Sequence, residues 1–102
     1  MKLKVLDLAE ADLLAGFAFY ENQSPGLGMY FLDTLHSDIE SLLLYAGVHR
    51  KVMGYYRLLS RRFPYVIYYR IETEQTEVWR VLDCRRDPRW ISKAIKRPRT
   101  KR

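Results

Sequence analysis

Arg62-Phe63-Pro64-Tyr65-Val66-Ile67-Tyr68-Tyr69-Arg70-Ile71-Glu72 is the stretch whose reading decides the fold. Pro64 closes a basic turn and stands at the first residue of an element, where a missing N–H is tolerated. The residues after it are aromatic and β-branched almost without a break, which favours a strand. The polar run Thr73-Glu74-Gln75-Thr76 is short enough for a hairpin turn. A further strand over 77–85 returns from it and ends in Cys84-Arg85-Arg86-Asp87-Pro88. Tyr55 to Ser60 supplies another strand ahead of the basic turn. Three consecutive strands, with arginines clustered at their ends, therefore fill the second half of the chain.

Upstream the period is helical. Asp7 fits an N-cap with Glu10 at N3, and the spacing predicts a helix over 8–23. Leu13, Phe17 and Tyr20 fall at i, i+4 and i+7, with Leu14 and Ala18 beside them. Gly16 is a mild flaw in this helix, worth ~1 kcal/mol against Ala. Ser24-Pro25 reads as a hydroxyl cap followed by Pro at N1. The second helix runs from there to Tyr45 or Ala46, on a stripe of Phe31, Leu32, Leu35, Ile39, Leu42, Leu43 and Ala46. Gly47 suits the C′ position. The short link makes the two helices antiparallel neighbours.

Residues 2–7 alternate loosely and predict a first strand, entering the sheet at an edge beside the second or fourth strand. Asp87-Pro88 opens a short C-terminal helix with Ile91, Ala94 and Ile95 on one face, and Pro98 stops it. The class is α+β, in the order β-α-α-β-β-β with a short C-terminal helix. The helical hairpin is expected to pack on a small twisted antiparallel sheet of four strands. Residues 1–98 read as a single domain and 99–102 as a disordered basic tail.

Charge divides along the chain. Residues 1–46 hold Lys2 and Lys4 against seven acids, a net −5, and residues 47–102 hold sixteen Lys/Arg against five acids, a net +11. The basic half should meet an anion: nucleic acid, an acidic protein segment or a membrane surface. Cys84 is the only cysteine, so no intrachain disulfide forms. A reducing cytoplasm is the natural setting, with Cys84 expected as a small buried hydrophobe in its strand. No secretory signal is visible, and no run approaches the ~20 apolar residues of a membrane span.

Most chemistries find no residues to carry them. His36 and His49 have no ligand spacing with the distant Cys84, so neither a metal nor another cofactor is expected. No nucleophile elbow is present. Gly26-Leu27-Gly28 follows no strand and lacks the lysine of a phosphate loop. The cationic set remains: Arg57, Arg61, Arg62, Arg70, Arg80, Arg85, Arg86 and Arg89. Guanidinium groups pair bidentately with phosphates or carboxylates. Arg57, Arg70 and Arg85 alternate with apolar residues and could share one sheet face, although sequence does not fix the register. Tyr65, Tyr68, Tyr69, Trp79 and Trp90 are candidates for base stacking, but an aromatic-rich sheet under helices places such residues mainly in the core.

Taken in order, these pieces resemble the RelE/ParE toxins of bacterial toxin–antitoxin pairs, the ParE-like, plasmid-stabilisation branch above all. The resemblance rests on Ala11-Asp12-Leu13 with Phe19-Tyr20, then Pro25-Gly26-Leu27-Gly28 with Phe31-Leu32. It continues through Arg57, Arg61-Arg62-Phe63-Pro64-Tyr65 and Tyr68-Tyr69, and ends with Val81-Leu82, Arg85-Arg86-Asp87-Pro88 and Trp90. It implies a toxin neutralised by a cognate antitoxin that wraps it. ParE-like members block DNA gyrase by binding; RelE-like members cut mRNA at the ribosome, usually with a late Tyr. No tyrosine follows Tyr69 here, which favours gyrase binding over enzymatic action. The target-binding residues are then expected among Arg57, Arg61, Arg62, Arg70, Arg85, Arg86, Arg89 and Trp90. In the alternative endoribonuclease, acting on ribosome and mRNA, Arg57 and Arg85 would hold phosphate and Lys51 would be the acid. A third reading is a toxin fold that has lost activity and only binds. Asp83 stands where many ParE-like relatives have His, and an ion pair with Arg85 is expected there.

Overall fold

The aromatic stretch forms a central strand because both of its faces are covered. Tyr65, Ile67 and Tyr69 point into one buried cluster, and Val66 and Tyr68 into another on the opposite side. A strand buried on both faces reads as a continuous apolar run, which is how this one reads.

The structure is a computed structural model and describes residues 2–98; the tail expected over 99–102 lies outside the described residues. The elements are β1 (Lys2–Val5), α1 (Asp7–Gln23), α2 (Leu27–Glu40), α3 (Leu42–Tyr45), β2 (Lys51–Val52), β3 (Tyr55–Leu59), β4 (Tyr65–Glu72), β5 (Gln75–Asp83) and α4 (Pro88–Lys96). They build an α+β domain around one five-stranded sheet of order β1-β5-β4-β3-β2. The hairpin of α1 and α2 covers one face, with Leu13, Tyr20, Phe31 and Leu35 in the larger core. The short α4 covers the other, where Ile95 meets Val66, Tyr68, Trp79 and Leu82.

The sheet departs from the expected one in two ways. β1 does enter at the edge beside β5, but runs parallel to it, from Lys2 opposite Gln75 to Val5 opposite Val78. The sheet is therefore mixed rather than wholly antiparallel, since the helical hairpin carries the chain between β1 and the meander. A fifth strand, β2, pairs Lys51 with Tyr56 and Val52 with Tyr55. Its turn is Met53-Gly54, with φ of 53° and 87°, the left-handed pair that two-residue hairpins use.

The helix starts also differ. Leu6 is the N-cap of α1 and makes no side-chain cap; Asp7 and Glu10 lie in the first turn, where the helix dipole favours acids. α2 starts at Leu27, behind Gly26 at φ 90°, rather than at Ser24-Pro25. Its cap comes from α1: the Glu21 carboxylate accepts from Gly26 N at 3.1 Å and Gly28 N at 2.9 Å. The long second helix is interrupted at Ser41, whose hydroxyl donates to the Asp38 carbonyl at 2.6 Å, a back-bond that bends helices. Gly16 proves to be a requirement of packing. A Cβ there would lie 2.5 Å from Phe31 Cζ, so the glycine is what lets α1 and α2 approach.

Candidate functional site

One hydrogen bond gathers the cationic groups. Cys84 N donates to Pro64 O at 2.8 Å, which ties the β3–β4 turn to the exit of β5. Arg61 and Arg62 ride on that turn, and Arg85 and Arg86 on that exit. Asp87 then caps α4, its Oδ1 accepting from Arg89 N at 2.8 Å, and so sets Arg89 and Trp90 on the first turn of the helix. Arg61, Arg62, Arg85, Arg86, Arg89 and Trp90, all exposed, thus share one end of the sheet.

Three of the guanidiniums there, those of Arg62, Arg85 and Arg86, are held in place. Asp83 Oδ1 accepts from Arg85 N at 2.8 Å and Nε at 3.0 Å, and its Oδ2 from Arg85 Nη2 at 2.7 Å. The expected ion pair therefore forms, and the Arg85 hydrogen bond holds the Asp83 carboxyl below its usual range. The pair is exposed, so it orients Arg85 more than it stabilises the fold. The Arg86 guanidinium stacks 3.7 Å from the centre of the Trp90 ring. Arg62 Nη1 donates to the Tyr30 hydroxyl at 2.9 Å. Behind Arg85 stand two phenols. Burial, reinforced by the Asp83 charge, pushes Tyr65 up to about 12, and burial also raises Tyr20. Both stay protonated at neutral pH.

Beside this end lies a cleft of about 330 Å³ whose wall includes Asp12, Phe19, Tyr65, Asp83, Arg86 and Trp90. Its inner wall is set by a buried ion pair. β1 ends opposite Val78, so the outer edge of β5 has no partner strand beyond that point. Asp12 from α1 takes the strand's place: its Oδ2 accepts from Val81 N at 2.9 Å and from Arg80 Nε at 2.8 Å, its Oδ1 from Arg80 Nη2 at 2.9 Å. Arg80 Nη1 donates onward to Ala94 O at 2.9 Å. Arg80 is 7% exposed and joins α1, β5 and α4. The sequence grouped it with the outward cations; its place is structural.

Three other expected site residues stand apart. Lys51 Nζ lies 5.1 Å over the Tyr56 ring, on the face covered by the helical hairpin. Arg57 faces Tyr68 across the β3–β4 pair, on the α4 side. Arg70 sits toward the far end of β4, its Nε 3.0 Å from Glu72 and 3.2 Å from Glu77. Lys51 shares a row with Tyr69, three strands away from β5 and four residues from the Tyr65 row. At about 3.3 Å per residue and about 4.8 Å per strand, the Lys51 and Asp83 backbones are roughly 20 Å apart, and Arg85 lies two residues beyond Asp83. Lys51, Arg57 and Arg85 do not converge on one phosphate. Tyr65, Tyr68, Tyr69 and Trp79 are buried. Cys84 is exposed just beyond β5, contrary to the buried strand position expected, because the strand ends at Asp83. Among the described residues no group of His, Cys, Asp and Glu could hold a metal ion, and no helix is long and apolar enough to cross a membrane.

One surface was missed. Ala11, Leu14, Ala15, Ala18 and Phe19 form an exposed stripe on α1, with Leu14 64% and Phe19 49% exposed. The signal was present: α1 is apolar around most of its circumference, and only one side of it can meet the sheet.

The sequence matches the family model described as ParE toxin of type II toxin-antitoxin system, parDE, over residues 3–88. The fold is similar to a solved chain described as a chromosomal ParDE TA system from P. aeruginosa, with a TM-score of 0.74 and 24% identity over 79% of this chain and 92% of that one. At that identity the likeness is one of fold. No curated protein matches the sequence.

Proposed function

Because this chain belongs to the ParE toxin family of type II toxin–antitoxin systems, we propose that it acts by binding DNA gyrase through the cationic end of its sheet. The observation that carries this reading is the gathering of Arg61, Arg62, Arg85, Arg86, Arg89 and Trp90 around one strand end. Preoriented guanidiniums bind carboxylates bidentately, and a rigid Arg–Trp stack supplies the kind of anchor found at the centre of interfaces. Such a surface inhibits by occupation and needs no proton transfer. The dispersal of Lys51, Arg57 and Arg85, and the raised phenols beside Arg85, speak against an endoribonuclease built from these groups.

Family membership implies an antitoxin partner. The exposed apolar stripe of α1 is suited to it: a disordered segment that orders on docking can bury Leu14 and Phe19. The stripe runs into the cleft through Phe19, and Arg86 and Trp90 line the same cleft. An antitoxin seated there would cover part of the target surface. Neutralisation is then direct competition.

Induction of the toxin without antitoxin tests the reading, with plasmid superhelicity and transcript integrity followed in the same cells. Growth arrest with relaxed plasmid and intact mRNA is expected. Cleaved transcripts with normal superhelicity would transfer the protein to the ribonuclease class, and unimpaired growth would leave a fold that only binds.

A further inference from the structure

α4 carries a basic surface that starts at Arg89, within the gathered strand end, and continues to the C-terminal end of the helix. Arg89, Lys93 and Lys96 recur at i, i+4 and i+7 of the helix, the spacing of one helical face, and Arg97 follows at its C-cap; all four are exposed. The apolar residues of the helix are turned the other way: Ile95 is buried, and Ile91 and Ala94 pack beside it against the sheet. The family match ends at residue 88, where α4 begins, so membership assigns this face no role.

Local effects do not account for the stripe. Lys93 and Lys96 lie in the last turn, where the helix dipole favours cations. Arg89 lies in the first turn, where the same dipole opposes it. Ion pairing is slight: Arg89, 90% exposed, reaches Asp87 at 3.4 Å. No ion pair to Lys93, Lys96 or Arg97 occurs among the described residues. The helix is nonetheless firmly seated. Trp79 Nε1 donates to Ile95 O at 2.8 Å and Arg80 Nη1 to Ala94 O at 2.9 Å, satisfying carbonyls that a helix end otherwise leaves open. A firmly seated row of exposed cations is the result, and Lys93, Lys96 and Arg97 in it have no ion pair among the described residues.

We infer that this face of α4 binds the phosphodiester backbone of nucleic acid. From Arg89 to Arg97 the row spans about 12 Å at about 1.5 Å per residue. That length of B-DNA presents about four phosphates on one strand. A membrane surface fits less well, since it needs an apolar face to insert and that face is spent on the core. An acidic protein segment fits less well too. Protein interfaces depend on apolar anchors at their centre, and the exposed apolar residue of α4, Trp90, stands at the N-terminal end of the stripe beside Arg86, not at its centre. Charge without anchors is what backbone contacts require. The inference does not depend on gyrase being the target.

The test is binding of the full-length chain to a labelled duplex of about 20 base pairs, as DNA and as RNA, across a salt series. Four phosphate contacts imply that affinity falls about 150-fold between 50 and 200 mM salt. The substitutions K93Q, K96Q and R97Q together should reduce that fall by about 40-fold and weaken low-salt binding by more than about tenfold. Lys93→Gln alone should lower the logarithmic salt slope by about 0.9, which keeps the test sharp if the triple variant unfolds. Arg99, Lys101 and Arg102 follow in the sequence, so the difference between variant and parent is what counts. Binding of either duplex supports the inference, and the tighter one identifies the source. Absent binding at 50 mM salt, a slope unchanged by the substitutions, or displacement of the duplex by polyglutamate at equal charge would overturn it. A negative supercoiling assay leaves it standing.

Discussion

Asp12 accepts three hydrogen bonds where β5 has lost its neighbouring strand, two of them from a nearly buried arginine. Removing one partner of such a pair leaves an uncompensated charge, which costs more than the pair contributes. Asp12→Ala should therefore lower stability by about 3 kcal/mol in urea unfolding. A loss within about 0.5 kcal/mol, the range of ordinary surface substitutions, would mean that Arg80 escapes to solvent instead. Gly16→Ala tests the helical contact. Helix propensity alone predicts a gain of about 1 kcal/mol. Overpacking against Phe31 opposes it, and a net loss of about 1–2 kcal/mol is expected from the same unfolding measurement. Neither role was legible in the sequence. Gly16 looked like a flaw because its neighbour Phe31 lies on another helix. Arg80 looked like the other arginines because its partner is 68 residues away.

Among the elements, β4 was legible because burial on both faces leaves a run that no helix period explains. β2 was not: two residues carry no period, and its turn places a methionine in the left-handed region. The start of α2 was misplaced because the groups it needs come from Glu21 rather than from its own flank. The loop between α3 and β2 has a titratable fastening. Gly47 N donates to the Tyr69 hydroxyl at 2.9 Å, and that hydroxyl is hydrogen-bonded to His49 Nδ1. Burial lowers the His49 pKa, so the folded state prefers the neutral ring. The contribution to stability is therefore full above about pH 6.5 and is lost as the pH falls through the folded value. The Gly47 amide, corrected for its intrinsic exchange rate, should lose protection at pH 5.5 relative to 7.5. Tyr69→Phe should abolish that difference; an equal difference in the variant would place the cause elsewhere.

At the scale of the molecule, the division of charge seen in the sequence becomes a division of surfaces. The acidic half supplies helices with an uncovered apolar stripe, and the basic half supplies a cationic sheet end and a basic helix. The types of residue in the candidate site were readable from the chain. Their grouping was not, because it depends on the Cys84–Pro64 hydrogen bond and the Asp87 cap, which bring Arg61 and Arg62 to Arg85, Arg86, Arg89 and Trp90 and leave Arg70 at the far end. Gyrase binding through that grouping is the central claim, and a purified supercoiling assay tests it most directly. Near-stoichiometric toxin should stop supercoiling, and the double substitution Arg86→Ala with Trp90→Ala should weaken inhibition by more than about tenfold. Undiminished supercoiling in a large excess of the folded toxin would contradict the account.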